Sequence, residues 1–107
     1  MAHRFKDLEI WKQSREFCSI IYTMTSCFPD SEKFVISNQL RRASVSVPSN
    51  IAEGSSRKSN KDFSRFLQIA IGSMYEIETQ LLISNDLASS MRKNLKSYWT
   101  NFNLLLE

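Results

Sequence analysis

Histidine, cysteine, glycine and proline are all scarce in this 107-residue chain, with one histidine and two of each of the others. So few glycines and prolines leave little material for the turns of a sheet, which favours helices. One histidine and two cysteines cannot supply the clustered ligands of a zinc site. Cys18 and Cys27 lie nine residues apart on the expected first helix. That spacing sets them half a turn out of phase and about 13 Å apart along the axis, too far to bridge. Both thiols are therefore expected to be small buried hydrophobes. No apolar run approaches the roughly 20 residues of a membrane span, and Met1 to Asp7 lacks the apolar core of a signal peptide. A cytoplasmic protein without a membrane partner is expected. There is no glycine-rich phosphate loop, and His3 sits too near the terminus to serve as base for a serine or cysteine nucleophile. Glu53, Glu76 and Glu78 would suit a ferritin-like carboxylate site only beside Glu-x-x-His motifs, and the chain has none. The expectation is a non-enzyme with no catalytic residue, metal, cofactor or small-molecule substrate.

What the chain does have is helical periodicity. Its length suits one domain, residues 1–107, with one core. Helix one is expected from Asp7 to Phe28, with Leu8, Trp11, Cys18 and Tyr22 in one apolar stripe and Ile10, Phe17, Ile21, Met24 and Phe28 in another. Pro29 ends it, and Asp30, Ser31 and Glu32 place carboxylates and a cap at the start of helix two. There Ile36, Leu40, Ala43, Val47 and Ile51 recur at spacings of four, three, four and four. Pro48 interrupts this face and predicts a break near Val47 or a kink, the kink being favoured because the period resumes at Ile51. Gly54 is the expected stop of helix two, and Ser59 with Asp62 resembles a capping box that opens helix three. Helix three carries Phe63, Phe66, Leu67, Ala70, Met74, Ile77 and Leu81 on its core face. Asn85, Asp86, Ser89 and Ser90 suggest a turn, after which Met91, Leu95, Tyr98, Phe102 and Leu105 define helix four. Four amphipathic helices joined by short loops bury their stripes as an all-α, antiparallel, up-down four-helix bundle.

Two surfaces exceed what such a core needs. Ile69, Gly72 and Ile83 point away from the core stripe of helix three, and a glycine inside a helix costs about 1 kcal/mol relative to alanine. Close approach of a second backbone would offset that cost, so these three residues are expected at a subunit interface. The second surface is basic. Arg57, Lys58, Lys61 and Arg65 cluster where helix two meets helix three, and Arg41 and Arg42 lie earlier on helix two. All six are candidate phosphate contacts for RNA or DNA, consistent with a net charge of +3. The competing reading of Arg41 and Arg42 pairs them with Glu53, Glu76 or Glu78, giving a structural polar network of Arg42, Asn50, Glu53 and Glu76. Asn50 would then reach backbone groups freed by the proline.

The run Gln39, Arg41, Arg42, Ala43, Ser46, Pro48, Asn50, Ile51, Ala52, Glu53 and Gly54, followed by Ala70, Gly72, Ser73, Glu76, Glu78, Gln80 and Leu81, resembles a known family. That family comprises small four-helix-bundle proteins encoded in intervening sequences of bacterial 23S ribosomal RNA genes. The opening from Phe5 to Lys12 is similar too, so the resemblance covers residues 5–85. It implies a left-handed bundle that often assembles as a homopentamer, and it implies no known activity. A similar bundle is the accessory protein of diversity-generating retroelements, a basic pentamer that works with a reverse transcriptase and its RNA. Two functions therefore stand as expectations: a self-assembling accessory protein that binds structured RNA or DNA, or a protein–protein scaffold without nucleic acid.

Overall fold

The computed structural model describes residues 4–28 and 36–87. Among these, a single 3₁₀ turn at Phe5–Asp7 precedes three α-helices, α1 at Glu9–Thr25, α2 at Asn38–Ser55 and α3 at Asn60–Leu87, and there is no strand. The described chain is all-α. Met91 to Leu105, the expected fourth helix, and Asp30 to Glu32, the expected start of helix two, lie outside the described residues.

The three helices meet because their apolar stripes meet. Phe17, Ile21, Met24 and Phe28 from the first segment, Leu40, Ala43, Val47 and Ile51 from α2, and Ala70, Met74, Ile77 and Leu81 from α3 form one buried cluster. Leu8, Trp11, Ile36 and Leu67 pack against its edges. α2 is the central element, since α1 and α3 each pack principally on it. Both neighbours run antiparallel to it. On one side Cys18 meets Ser44 and Arg41 reaches back to Thr25; on the other, Gln39 faces Gln80 and Ser46 faces Ser73.

Buried hydroxyls are accommodated within their own helices. Ser14 donates to the Trp11 carbonyl, Thr25 to Ile21, Ser44 to Arg41, Ser55 to Ala52 and Ser84 to Gln80, at 2.7–2.9 Å. Each bond satisfies a polar group that would otherwise cost a few kcal/mol on burial. Small side chains also let the helices approach closely.

Several helix ends differ from expectation. α1 stops at Thr25, and the chain winds on through Cys27 and Phe28 by bonds to carbonyls three residues back. Cys27 is consequently off the helix and exposed, while Cys18 is half-buried beside Ser44; only Cys18 approaches the packed thiol expected of both. Pro48 neither breaks nor ends α2, which runs continuously through it. Asn50 does not reach the Ser44 carbonyl that the proline leaves without its helical donor. Its amide bonds instead to the Ser46 carbonyl at 2.8 Å, because a side chain this short reaches back only one turn of its own helix. Asn85 and Asp86, expected in a turn, fall inside α3.

Gly54 sits where a stop was expected, for a different reason. It is helical, with no positive φ, and the helix continues to Ser55. A Cβ at this position would lie 2.6 Å from Cβ of Phe66 and 3.0 Å from Cδ1 of Phe63. Glycine is needed here for close approach of α3 rather than for a left-handed cap. The next helix opens as its sequence predicts, with Ser59 Oγ accepting the Asp62 amide at 3.1 Å.

Candidate nucleic-acid interface

The loop between α2 and α3 places Arg57, Lys58, Lys61 and Arg65 on the exposed end of the helical hairpin. Because α1 runs antiparallel to α2, its first turns lie beside the end of α2, and the turn at Phe5–Asp7 packs there as well. Exposed Lys6, Lys12 and Arg15 therefore share this end of the molecule with the loop cations.

Two of the four cations are held by neighbours. Arg57 donates to Glu53 at 3.3 Å while its guanidinium lies 4.7 Å from the centre of the Phe66 ring. Arg65 sits 3.8 Å from Asp62. Both ion pairs are between exposed partners on one helical surface, where such pairs contribute about 0.3–0.5 kcal/mol. A phosphate oxygen competes readily against a partner held that weakly. Lys58 and Lys61 are exposed beside them.

Arg41 and Arg42 do not belong to this surface. Arg41 lies about 20 Å along the helix from Gly54, and it is committed to α1. Its Nε donates to Thr25 Oγ1 at 2.8 Å, its Nη2 to the Tyr22 carbonyl at 3.4 Å, and its guanidinium stacks 4.8 Å from the Tyr22 ring centre. Arg41 is structural, as one reading expected, but through a hydroxyl, a carbonyl and an aromatic ring instead of a carboxylate. Arg42 points to the other side of α2, exposed, with no ion pair among the described residues.

The expected network of Arg42, Asn50, Glu53 and Glu76 is not assembled. Asn50 bonds to both the carbonyl and the hydroxyl of Ser46, whose Oγ accepts from Ser73 at 2.8 Å. Glu53 is taken by Arg57 four residues on, and Glu76 accepts from Gln80, which also reaches Gln39. Neighbours one turn away on the same helix outcompete partners across the groove, since their side chains are already aligned.

On the outer side of α3, Ile69 and Ile83 are 47% and 42% exposed, and a Cβ on Gly72 would meet nothing within 4 Å. All three face solvent in the single chain, as their helical phase predicts. Ile71, Tyr75 and Leu82 are exposed as well, a stripe the sequence reading passed over although its spacing of four and seven is helical.

Also overlooked was a groove along α1. Trp11, Lys12, Arg15, Glu16 and Ser19 line a cavity of about 320 Å³. Arg15 lies 5.5 Å from the centre of the Trp11 ring. The spacing of four between tryptophan and arginine was the available signal.

Among the described residues, no three histidine, cysteine, aspartate or glutamate side chains gather as metal ligands, and no helix is long and apolar enough to cross a membrane. These features define an all-helical protein whose described helices share one core and whose hairpin end is basic. The chain belongs to the 23S rRNA-intervening sequence protein family, whose sequence pattern it matches over residues 6–105. The match reaches well past residue 85, into the stretch where the resemblance was not legible. Among curated proteins, none matches the chain.

Proposed function

We propose that this protein is a non-enzymatic, self-assembling, cytoplasmic accessory protein that binds RNA or DNA through the basic hairpin end. The observation that carries the reading is the joint exposure of Arg57, Lys58, Lys61 and Arg65 at the α2–α3 turn, beside the cations of the α1 start. Phosphate contacts of this kind supply affinity without sequence reading, and assembly into a ring would multiply them by avidity. In this proposal Met91 to Leu105 completes a left-handed, up-down four-helix bundle, and Ile69, Gly72 and Ile83 lie between subunits, five by family resemblance.

Fluorescence anisotropy of a structured ribosomal RNA hairpin and of an unrelated duplex, titrated at several salt concentrations, tests the reading. Binding at micromolar protein with a steep salt slope is expected, weakened in a Lys58→Gln/Lys61→Gln variant of unchanged melting temperature. Absence of binding at low salt would overturn it.

A second reading, a scaffold for proteins alone, is favoured by the apolar exposure of Ile71, Tyr75 and Leu82 on α3. Both readings require a surface beyond one chain. A monomer at micromolar concentration by light scattering would remove the self-assembly from either.

A further inference from the structure

We propose that the α1 groove at Trp11 is a stacking subsite for an unpaired nucleotide whose base carries an amino group. This inference rests on the nucleic-acid reading above and names the part of the ligand that the helical end recognises. The groove, about 320 Å³ in volume, falls at the small end of the roughly 300–1,000 Å³ typical of ligand clefts. The chemistry of its wall is mixed in a way that suits a nucleotide.

Trp11 presents an indole face that is already oriented. Its inner side packs on the core, and Phe5 meets it edge-on with ring centres 5.0 Å apart and planes at 69°. A fixed aromatic face is what a splayed base stacks upon, and unpaired bases are the ones free to do so. Arg15 now lies 5.5 Å from that ring centre. An exposed cation–π contact is weak beside base stacking, so Arg15 can swing aside or close over the base as a second layer. Lys12 and Arg15 then stand ready for the flanking phosphates.

Glu16 supplies the discrimination. A carboxylate repels phosphate but accepts hydrogen bonds from the amino group of cytosine, adenine or guanine. Uracil and thymine have no amino group to offer. The Ser19 hydroxyl adds an adaptable donor or acceptor at the far end of the same wall. The subsite also answers an objection to nucleic-acid binding, namely that the loop cations lack an aromatic partner of their own. The aromatic surface is on α1, at the same end of the bundle.

The test uses the full chain, with ten-residue oligocytidylate, oligouridylate and a blunt RNA duplex followed by anisotropy. Oligocytidylate is expected to bind more tightly than oligouridylate. Arg15→Gln should weaken oligocytidylate by about 5-fold or more while changing duplex binding little, and Glu16→Gln should narrow the cytosine preference. In a Trp99→Phe background, oligocytidylate should quench the remaining Trp11 emission. Arg15→Gln weakening strand and duplex equally, or changing neither while both still bind, would overturn the subsite and leave the basic hairpin end standing. Binding of none of the three ligands by the unaltered protein would overturn both readings.

Discussion

The chain's two glycines occupy opposite surroundings. Gly54 lies inside the α2–α3 packing, where any Cβ would collide with Cβ of Phe66 at 2.6 Å, whereas Gly72 faces open space on the outer side of α3. Each forgoes about 1 kcal/mol of helix propensity relative to alanine. At Gly54 the single chain contains the compensation, in the close approach of two aromatic residues. At Gly72 it does not, and the unexplained glycine sits among exposed isoleucines. One glycine thus accounts for the fold, and the other points outward.

Gly54→Ala should have the largest effect. The colliding atom of Phe66 is its Cβ, close to the backbone, so α3 itself must shift, at a cost of about 1–3 kcal/mol. Urea unfolding would show a lower midpoint at an unchanged slope; an unchanged midpoint would mean the hairpin end is looser than its packing indicates. Arg41→Ala comes next, with an expected loss of about 1–2 kcal/mol from the charge-assisted bond to Thr25 and the stacking on Tyr22. Its nucleic-acid affinity should stay at the unaltered level, and a large loss of affinity at constant stability would return Arg41 to the phosphate surface. Gly72→Ala has the smallest expected effect on the chain and the opposite sign. A monomeric chain should gain about 0.5–1 kcal/mol. If Gly72 is an interface residue, light scattering should instead show weaker assembly, which makes this one change a direct reading of the contrast.

Much of the fold was legible because it depends on period. The stripes Leu40–Ala43–Val47–Ile51 and Ala70–Met74–Ile77–Leu81 are buried as their spacings predict, and Ser59 caps α3 as its sequence suggests. What escaped depended on distances between helices. Gly54 reads as a helix stop from sequence, since nothing along the chain reveals that Phe63 and Phe66 fold back onto it. Arg41 was paired with carboxylates because charge is visible in a sequence, while the Thr25 hydroxyl and Tyr22 ring on another helix are not. The end of α1 was placed three residues late because Cys27 and Phe28 extend the apolar pattern even though the chain there leaves the α-helix. Of the candidate site, the basic loop was legible as a local cluster. Its separation from Arg41 and Arg42 required the antiparallel geometry, and Trp11 was hidden by its double use as core edge and open ring.

The α2–α3 hairpin is fastened at three heights: Gly54 against Phe66, Ser46 against Ser73, and Gln39 against Gln80. From the first to the last is about 22 Å of helix. A slip by one turn, about 5.4 Å, would bring a side chain against Phe66 in place of Gly54 and part both polar pairs at once. A roll of α3 about its axis would do the same. The hairpin therefore acts as a keyed shaft, and a load applied to its basic tip is carried as rigid tilting of the whole pair, with no sliding between its two helices.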